Sequence, residues 1–185
     1  PLRWVAIHDT VMGGVSRGKL SLQDGVAVFS GHLSLANNGG FASVRTLPRD
    51  FGLAAATGLI VRVKGDGRTY RLRLRPDAGF DGIAWQFSFP TRAGEWAVVT
   101  APFERFVPVW RGRIVPNQGP IDPARIQQIG FMVADKQEGD FRLEIERALA
   151  GEDEGPRDRT PAPGRWGARW GVAARSSSRR LRWGA

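Results

Sequence analysis

Apolar and polar residues alternate with a period of two along most of the chain from Trp4 to Ile145. That is the pattern of strands with one buried and one wet face. It predicts strands over residues 19–22, 26–35, 41–45, 58–64, 69–75, 84–89, 96–100, 130–133 and 141–145. The strictest run is Tyr70-Arg71-Leu72-Arg73-Leu74-Arg75. There Leu72 and Leu74 point inward, as do Phe141, Leu143 and Ile145 of the last strand, and three arginines take the other face. Gln23-Asp24-Gly25, Gly65-Asp66-Gly67 and Arg92-Ala93-Gly94 separate the runs as turns. One short helix is expected over 122–128, with Asp122 as N-cap and Pro123 at the first helical position. Many short strands with at most one or two short helices predict an all-β chain, a two-sheet sandwich or jelly roll.

The alternation stops at Ala150, which divides the chain into a domain over 1–150 and a tail over 151–185. The tail is rich in Pro, Gly, Ser and Arg, and repeats Arg-Trp-Gly at 165–167, 169–171 and 182–184. Such a composition buries too little apolar surface to offset chain entropy, which predicts disorder and a segment dispensable for folding. The formal charge of +9 divides into +5 over 1–150 and +4 over the much shorter 151–185. The basic tail is therefore expected to touch anionic membrane or RNA weakly and in a salt-sensitive way, without specific nucleic-acid recognition.

Composition removes several chemistries. The absence of cysteine excludes a disulfide scaffold, a thiolate zinc site and a cysteine nucleophile. No apolar run spans a bilayer and no signal-peptide core occurs in the sequence. Gly13-Gly14-Val15-Ser16-Arg17-Gly18-Lys19-Leu20 comes close to a phosphate-binding loop. Leu20 stands where the magnesium-binding hydroxyl belongs, and a strand follows where a helix is required, so a nucleotide site is rejected. His8 and His32 are the only histidines, too few for a transition-metal site, and they read as hydrogen-bonded structural residues. Glu144 and Glu146 share a strand face at a spacing hydrolases use, but a charged outer face opposite Phe141, Leu143 and Ile145 accounts for them. The chain is read as non-enzymatic, with no cofactor.

Two loop segments carry more information. His8-Asp9-Thr10-Val11-Met12-Gly13-Gly14-Val15-Ser16 and Asn37-Asn38-Gly39-Gly40-Phe41-Ala42-Ser43-Val44-Arg45 each set a Gly pair beside polar residues. Gly serves where the backbone takes positive φ or another chain approaches closely. Asp9 braces its loop by bonding the following amides; the alternative is a calcium ligand together with Asp135 and Glu144. Trp4, Trp85 and Trp96 lie in strand-like runs and are expected in or near the core. Trp110, in an irregular stretch beside Pro108, is the expected exposed platform. Arg71, Arg73 and Arg75 are expected to form a solvated basic stripe, with an anionic partner surface as the alternative.

These two segments, with Gly65-Asp66-Gly67-Arg68-Thr69-Tyr70 and Asp135-Lys136-Gln137-Glu138-Gly139-Asp140-Phe141 downstream, resemble the thirty-kilodalton complex I intermediate-associated proteins. The resemblance runs from Trp4 to Ile145. It implies a galactose-binding-like β-sandwich that assists assembly of NADH:ubiquinone oxidoreductase, chaperone-like, by holding protein subunits or assembly intermediates. It implies the cytoplasm as compartment in a bacterium and the mitochondrial matrix in a eukaryote. The partner surface is expected on Asp9, Met12, Gly13, Gly14, Asn37, Asn38, Gly39, Gly40, Phe41, Arg45, Trp110, Asp135 and Lys136. The rival reading is a carbohydrate-binding module that grips a glycan with Trp110, Tyr70 and the Asn37 and Asn38 loop; another small-molecule ligand is not expected.

Overall fold

The computed structural model describes residues 2–8, 13–151 and 180–181. In chain order their strands are β1 (Trp4–His8), β2 (Arg17–Gln23), β3 (Val26–Leu33), β4 (Ala42–Thr46), β5 (Gly58–Lys64) and β6 (Thr69–Arg75). There follow β7 (Ala84–Pro90), β8 (Trp96–Pro102), β9 (Val107–Trp110), β10 (Arg113–Ile114), β11 (Gln128–Val133), β12 (Gly139–Gly151) and β13 (Arg180–Leu181). One sheet runs β1-β4-β11-β6-β7-β9-β10; the other runs β2-β3-β12-β5-β8, with β13 also on β12. Neighbouring strands are antiparallel throughout. The two sheets pack face to face around one core, the two-sheet sandwich that the alternation predicts.

The core lies between the sheets and is built by the alternation. Leu72 and Leu74 of β6 and Leu143 and Ile145 of β12 are at most 1% exposed, and Phe141 is 3% exposed. Phe29 meets Phe141 edge-on, with ring centroids 4.8 Å apart. The β2–β3 hairpin turns on Asp24 and Gly25, with φ of 50° and 80°. That is the left-handed pair a two-residue turn demands. The other two turn signals do not close hairpins. Gly65-Asp66-Gly67 carries the chain from β5 in one sheet to β6 in the other, and Arg92-Ala93-Gly94 carries it back from β7 to β8. Gly65 pairs with Ala93 at this corner, and a Cβ there would stand 2.2 Å from the Thr91 hydroxyl.

Three expectations are corrected. The helix over 122–128 is only a three-ten turn, Pro123–Arg125. Its cap forms as expected, since the Asp122 carboxylate accepts from the Ala124 amide at 3.0 Å. The residues beyond it are claimed by β11, which is buried along its whole length between β4 and β6. Burial in a central strand outweighs a local cap. Trp96 is 36% exposed instead of core-packed, because it sits on the outer side of edge strand β8 beneath Arg62 and Lys64. The irregular stretch around Trp110 is the hairpin β9–β10, hidden in the sequence by Pro108, which occupies a register position opposite Trp85. The expectation of a disordered tail falls on residues outside those described, apart from Arg180–Leu181, which pair with Ala148 and Leu149.

Candidate functional site

With Tyr70, Leu72 and Leu74 committed to the core, the pleat of β6 turns Arg71, Arg73 and Arg75 to the outer face of the seven-stranded sheet. The same parity puts Ser43 and Arg45 of β4 and Gln128, Gly130 and Met132 of β11 on that face. Register aligns them: Arg45 pairs with Gly130, Gly130 with Arg73, and Arg73 with Gln86. The face forms the floor of a groove of about 670 Å³, a volume typical of ligand sites. Loops raise its walls: Gly39, Gly40 and Phe41 before β4, Phe80–Gly82 before β7, Arg111 and Gly112 after β9, and Asp135 and Lys136 after β11.

The floor is a cluster of guanidiniums. Arg71 is ion-paired to Asp135. Arg75, with its side chain only 10% exposed, lies 3.8 Å from Asp77. Arg45 donates both terminal amines to the Phe80 carbonyl at 3.2 Å and lies 5.1 Å from the Phe80 ring centroid. Among the described residues Arg73 reaches only the Met132 sulfur, at 3.7 Å. The Nε atoms of all four are buried with no acceptor among the described residues. Burial, followed by the charges of Arg75, Arg71 and Arg45, pushes the Arg73 pKa down to about 10. Burial and Arg75 lower that of Arg45 as well, partly opposed by Asp77. At the rim, Asp81 accepts from Arg111 at 2.7 Å and from the Trp110 indole at 3.1 Å. The Arg111 guanidinium also lies 4.8 Å from the Trp110 ring centroid.

Six of the residues singled out from sequence line this one groove: Gly39, Gly40, Phe41, Arg45, Asp135 and Lys136. Trp110 joins its rim through Asp81 and is 44% exposed, the exposed platform that was expected. Asn37 and Asn38 form a three-ten turn leading into the wall, with Asn37 left-handed at φ 54°. Gly13 and Gly14 are not part of the lining. They precede Ser16, whose hydroxyl bonds the Ser34 carbonyl at 3.1 Å and amide at 3.0 Å at the end of β3, and the two Gly-pair segments themselves meet where His8 pairs with Ala42. Asp9 and Met12 lie outside the described residues.

The calcium alternative is not supported by the geometry. Asp135 is held on Arg71 in the groove, whereas Glu144 is on the outside of the opposite sheet, bonded to Lys64 at 3.0 Å and Arg142 at 3.1 Å. Among the described residues no three acidic, His or Cys side chains gather to hold a metal. Tyr70 offers no sugar platform, being fully buried with its hydroxyl donated to Asp66 at 3.0 Å. Sequence reasoning placed the three β6 arginines on an open stripe and missed Phe80, Asp81 and Arg111. The alternation in β6 carried the first signal; the walls are loop positions with no periodicity to announce them.

Residues 1–145 match the profile of a family described as Complex I intermediate-associated protein 30 (CIA30). The Mus musculus protein named "Complex I intermediate-associated protein 30, mitochondrial" is 30% identical over 165 residues, covering 78% of this chain and 50% of that protein. The Drosophila melanogaster protein of the same name is 36% identical over 95 residues, covering 48% and 32% respectively. The chain thus spans half or less of the length of these relatives. Among solved structures, the family 11 carbohydrate-binding module of the Clostridium thermocellum cellulase Lic26A-Cel5E superposes with a TM-score of 0.62 at 18% identity, covering 84% of this chain and 92% of the module. The family 11 module in complex with a β-1,3-1,4-mixed-linked tetrasaccharide gives 0.60 at 18% identity, with 82% and 91% covered. At that identity the likeness speaks for the fold alone.

Proposed function

Since this chain belongs to the complex I intermediate-associated protein 30 family, we propose that it holds protein subunits or assembly intermediates of respiratory complex I, without catalysis, in the groove of its seven-stranded sheet. The observation that carries this reading is convergence. Motif residues far apart in sequence, from Gly39 to Lys136, meet on one surface. A scaffold of rigid strands with recognition residues on the connecting loops is what a holding domain requires. The groove-lining carboxylates Asp81 and Asp135, and Asp77 beside its floor, are each engaged by an arginine.

The glycan reading has less support. Stacking a neutral sugar needs an open aromatic face, yet Phe80 and Trp110 each have a guanidinium over the ring. A floor of buried cations also suits an anionic group better than neutral hydroxyls. The relatives are named as mitochondrial proteins. Among the described residues no helix is long and apolar enough to cross a membrane. The corresponding workplace is the mitochondrial matrix in a eukaryote and the cytoplasm in a bacterium.

The test is complementation. Arg45→Ala and Lys136→Ala, expressed in a native host lacking the protein, are expected to reduce assembled complex I on native gels while soluble protein stays at its normal level. Full assembly with both replaced together would remove the groove from the role.

A further inference from the structure

We infer that the arginines of the groove floor receive one further carboxylate, and that it is an acidic side chain flanked by apolar residues in an extended segment of a partner protein. The inference rests on the proposed holding role and names the chemistry recognised. Four guanidiniums crowd the floor, and two carboxylates answer them from loops, Asp135 on Arg71 and Asp77 beside Arg75. Arg45 gives one N–H from each terminal nitrogen to the Phe80 carbonyl, which leaves the second N–H of each for a further acceptor. Among the described residues, Arg73 has only the Met132 sulfur to donate to. A half-buried cation without an oxygen partner costs free energy that a matching anion returns. Burial and three neighbouring guanidiniums, with no carboxylate to relieve them, keep its pKa depressed.

The shape fits that anion. Arg45 and Arg73 stand in one cross-strand row, one strand apart on either side of Gly130, so their Cα atoms are about 10 Å apart. Gly130 has no side chain and β4 packs close on it, a Cβ there standing 2.6 Å from the Val44 carbonyl oxygen and 3.0 Å from the Arg45 Cβ, so the floor between the two arginines is bare backbone. One carboxylate seated there is within reach of both long side chains, with the forked geometry guanidinium favours. Phe41 and Phe80 on the walls and Met132 on the floor give the groove apolar surface beside its charges. These apolar surfaces suit the neighbours of a single acid better than a highly charged headgroup or a run of phosphates. The three carboxylates already at the groove, Asp77, Asp81 and Asp135, show what its arginines accept.

The test uses the purified chain and the acetylated, amidated pentapeptide Ala-Val-Glu-Val-Ala, whose only carboxylate is the Glu side chain, against its Gln counterpart. By NMR titration at low salt the Glu peptide is expected to bind saturably and at least about tenfold more tightly than the Gln peptide. Arg73→Gln and Arg45→Gln are each expected to weaken it at least about tenfold at an undiminished thermal midpoint, and Arg142→Gln on the opposite sheet to leave it unchanged. Equal binding of the two peptides, undiminished binding by Arg73→Gln, or equal loss with Arg142→Gln overturns the proposal. Phosphatidylglycerol vesicles or inorganic phosphate displacing the Glu peptide at lower concentration than the peptide's own Kd overturns it too. If the peptide test fails while groove variants still abolish assembly in cells, the holding role stands and only the carboxylate recognition falls.

Discussion

The side-chain amide of Gln137 bonds both sides of the Thr69 backbone, accepting from its N–H at 2.8 Å and donating to its carbonyl at 2.9 Å. It acts as one more rung of strand pairing beyond Val133, the last β11 residue in register with β6. The same amide donates to the Ala134 carbonyl at 2.7 Å, and Arg68 donates to the carbonyls of Gln137 and Glu138. Asp66 adds its own anchors, accepting from the Tyr70 hydroxyl and the Arg142 amide. The two downstream motifs that drew attention in the sequence are therefore stitched to each other, and they hold Asp135 at the mouth of the groove. Gln137→Ala is expected to cost about 1–3 kcal/mol, since it strands partly buried backbone groups. Urea denaturation measures this; a loss below a few tenths of a kcal/mol would mean water replaces the amide freely.

Leu72 of β6 and Leu143 of β12 face each other's sheets across the core and are 1% and 0% exposed. Truncating either to Ala is expected to cost about 2–5 kcal/mol, the transfer term plus a cavity in a close-packed interior. The parallel change at Val98, 62% exposed on edge strand β8, is expected to stay within about 0.5 kcal/mol. Chemical denaturation of the three variants side by side checks the contrast.

The fold was legible because parity in a strand is a local property that burial reads directly. Leu72, Leu74 and Leu143 face inward wherever the strands happen to pair. What parity does not carry is which strands become neighbours. Arg45 and Arg73 are brought to either side of Gly130 only by β11 inserting between β4 and β6. From sequence alone, Arg73 therefore belongs to a wet stripe, while in the fold it belongs to a groove. The cap at Asp122 misled for a related reason: a genuine local signal was present, but long-range pairing of β11 decided the element. Pro108 hid β9 by removing a donor that an otherwise ordinary strand would show.

Glu144 lies on the outer face of the six-stranded sheet with its side chain 16% exposed. Burial works against its ionisation, but hydrogen bonds and charge from Lys64 and Arg142 outweigh it and hold the carboxyl below its ordinary value of 4.5. A carboxylate depressed on folding stabilises the protein above its unfolded pKa, and that stability drains as pH falls through the folded value. The wild type is therefore expected to exceed Glu144→Gln in thermal midpoint at pH 7, with the gap closing as pH drops below about 4.5. A gap independent of pH would assign the residue's contribution to packing instead of charge.

Arg73 yields the sharpest prediction, because its contributions to stability and to recognition have opposite signs. It is a half-buried cation among three others, its only acceptor among the described residues the Met132 sulfur. Replacing such a group by an apolar side chain of similar length removes a desolvation penalty and three like-charge repulsions. Arg73→Met is accordingly expected to stabilise the chain by about 1–3 kcal/mol in urea denaturation at low salt. Added salt should narrow the gain where repulsion is the source. The same variant is expected to assemble less complex I in cells, despite being more stable and at least as abundant. Sites kept for binding show this trade-off, whereas a structural arginine would lose stability and function together. A destabilised Arg73→Met would mean that its stem packs the groove floor, and the cluster would then have to be read as architecture.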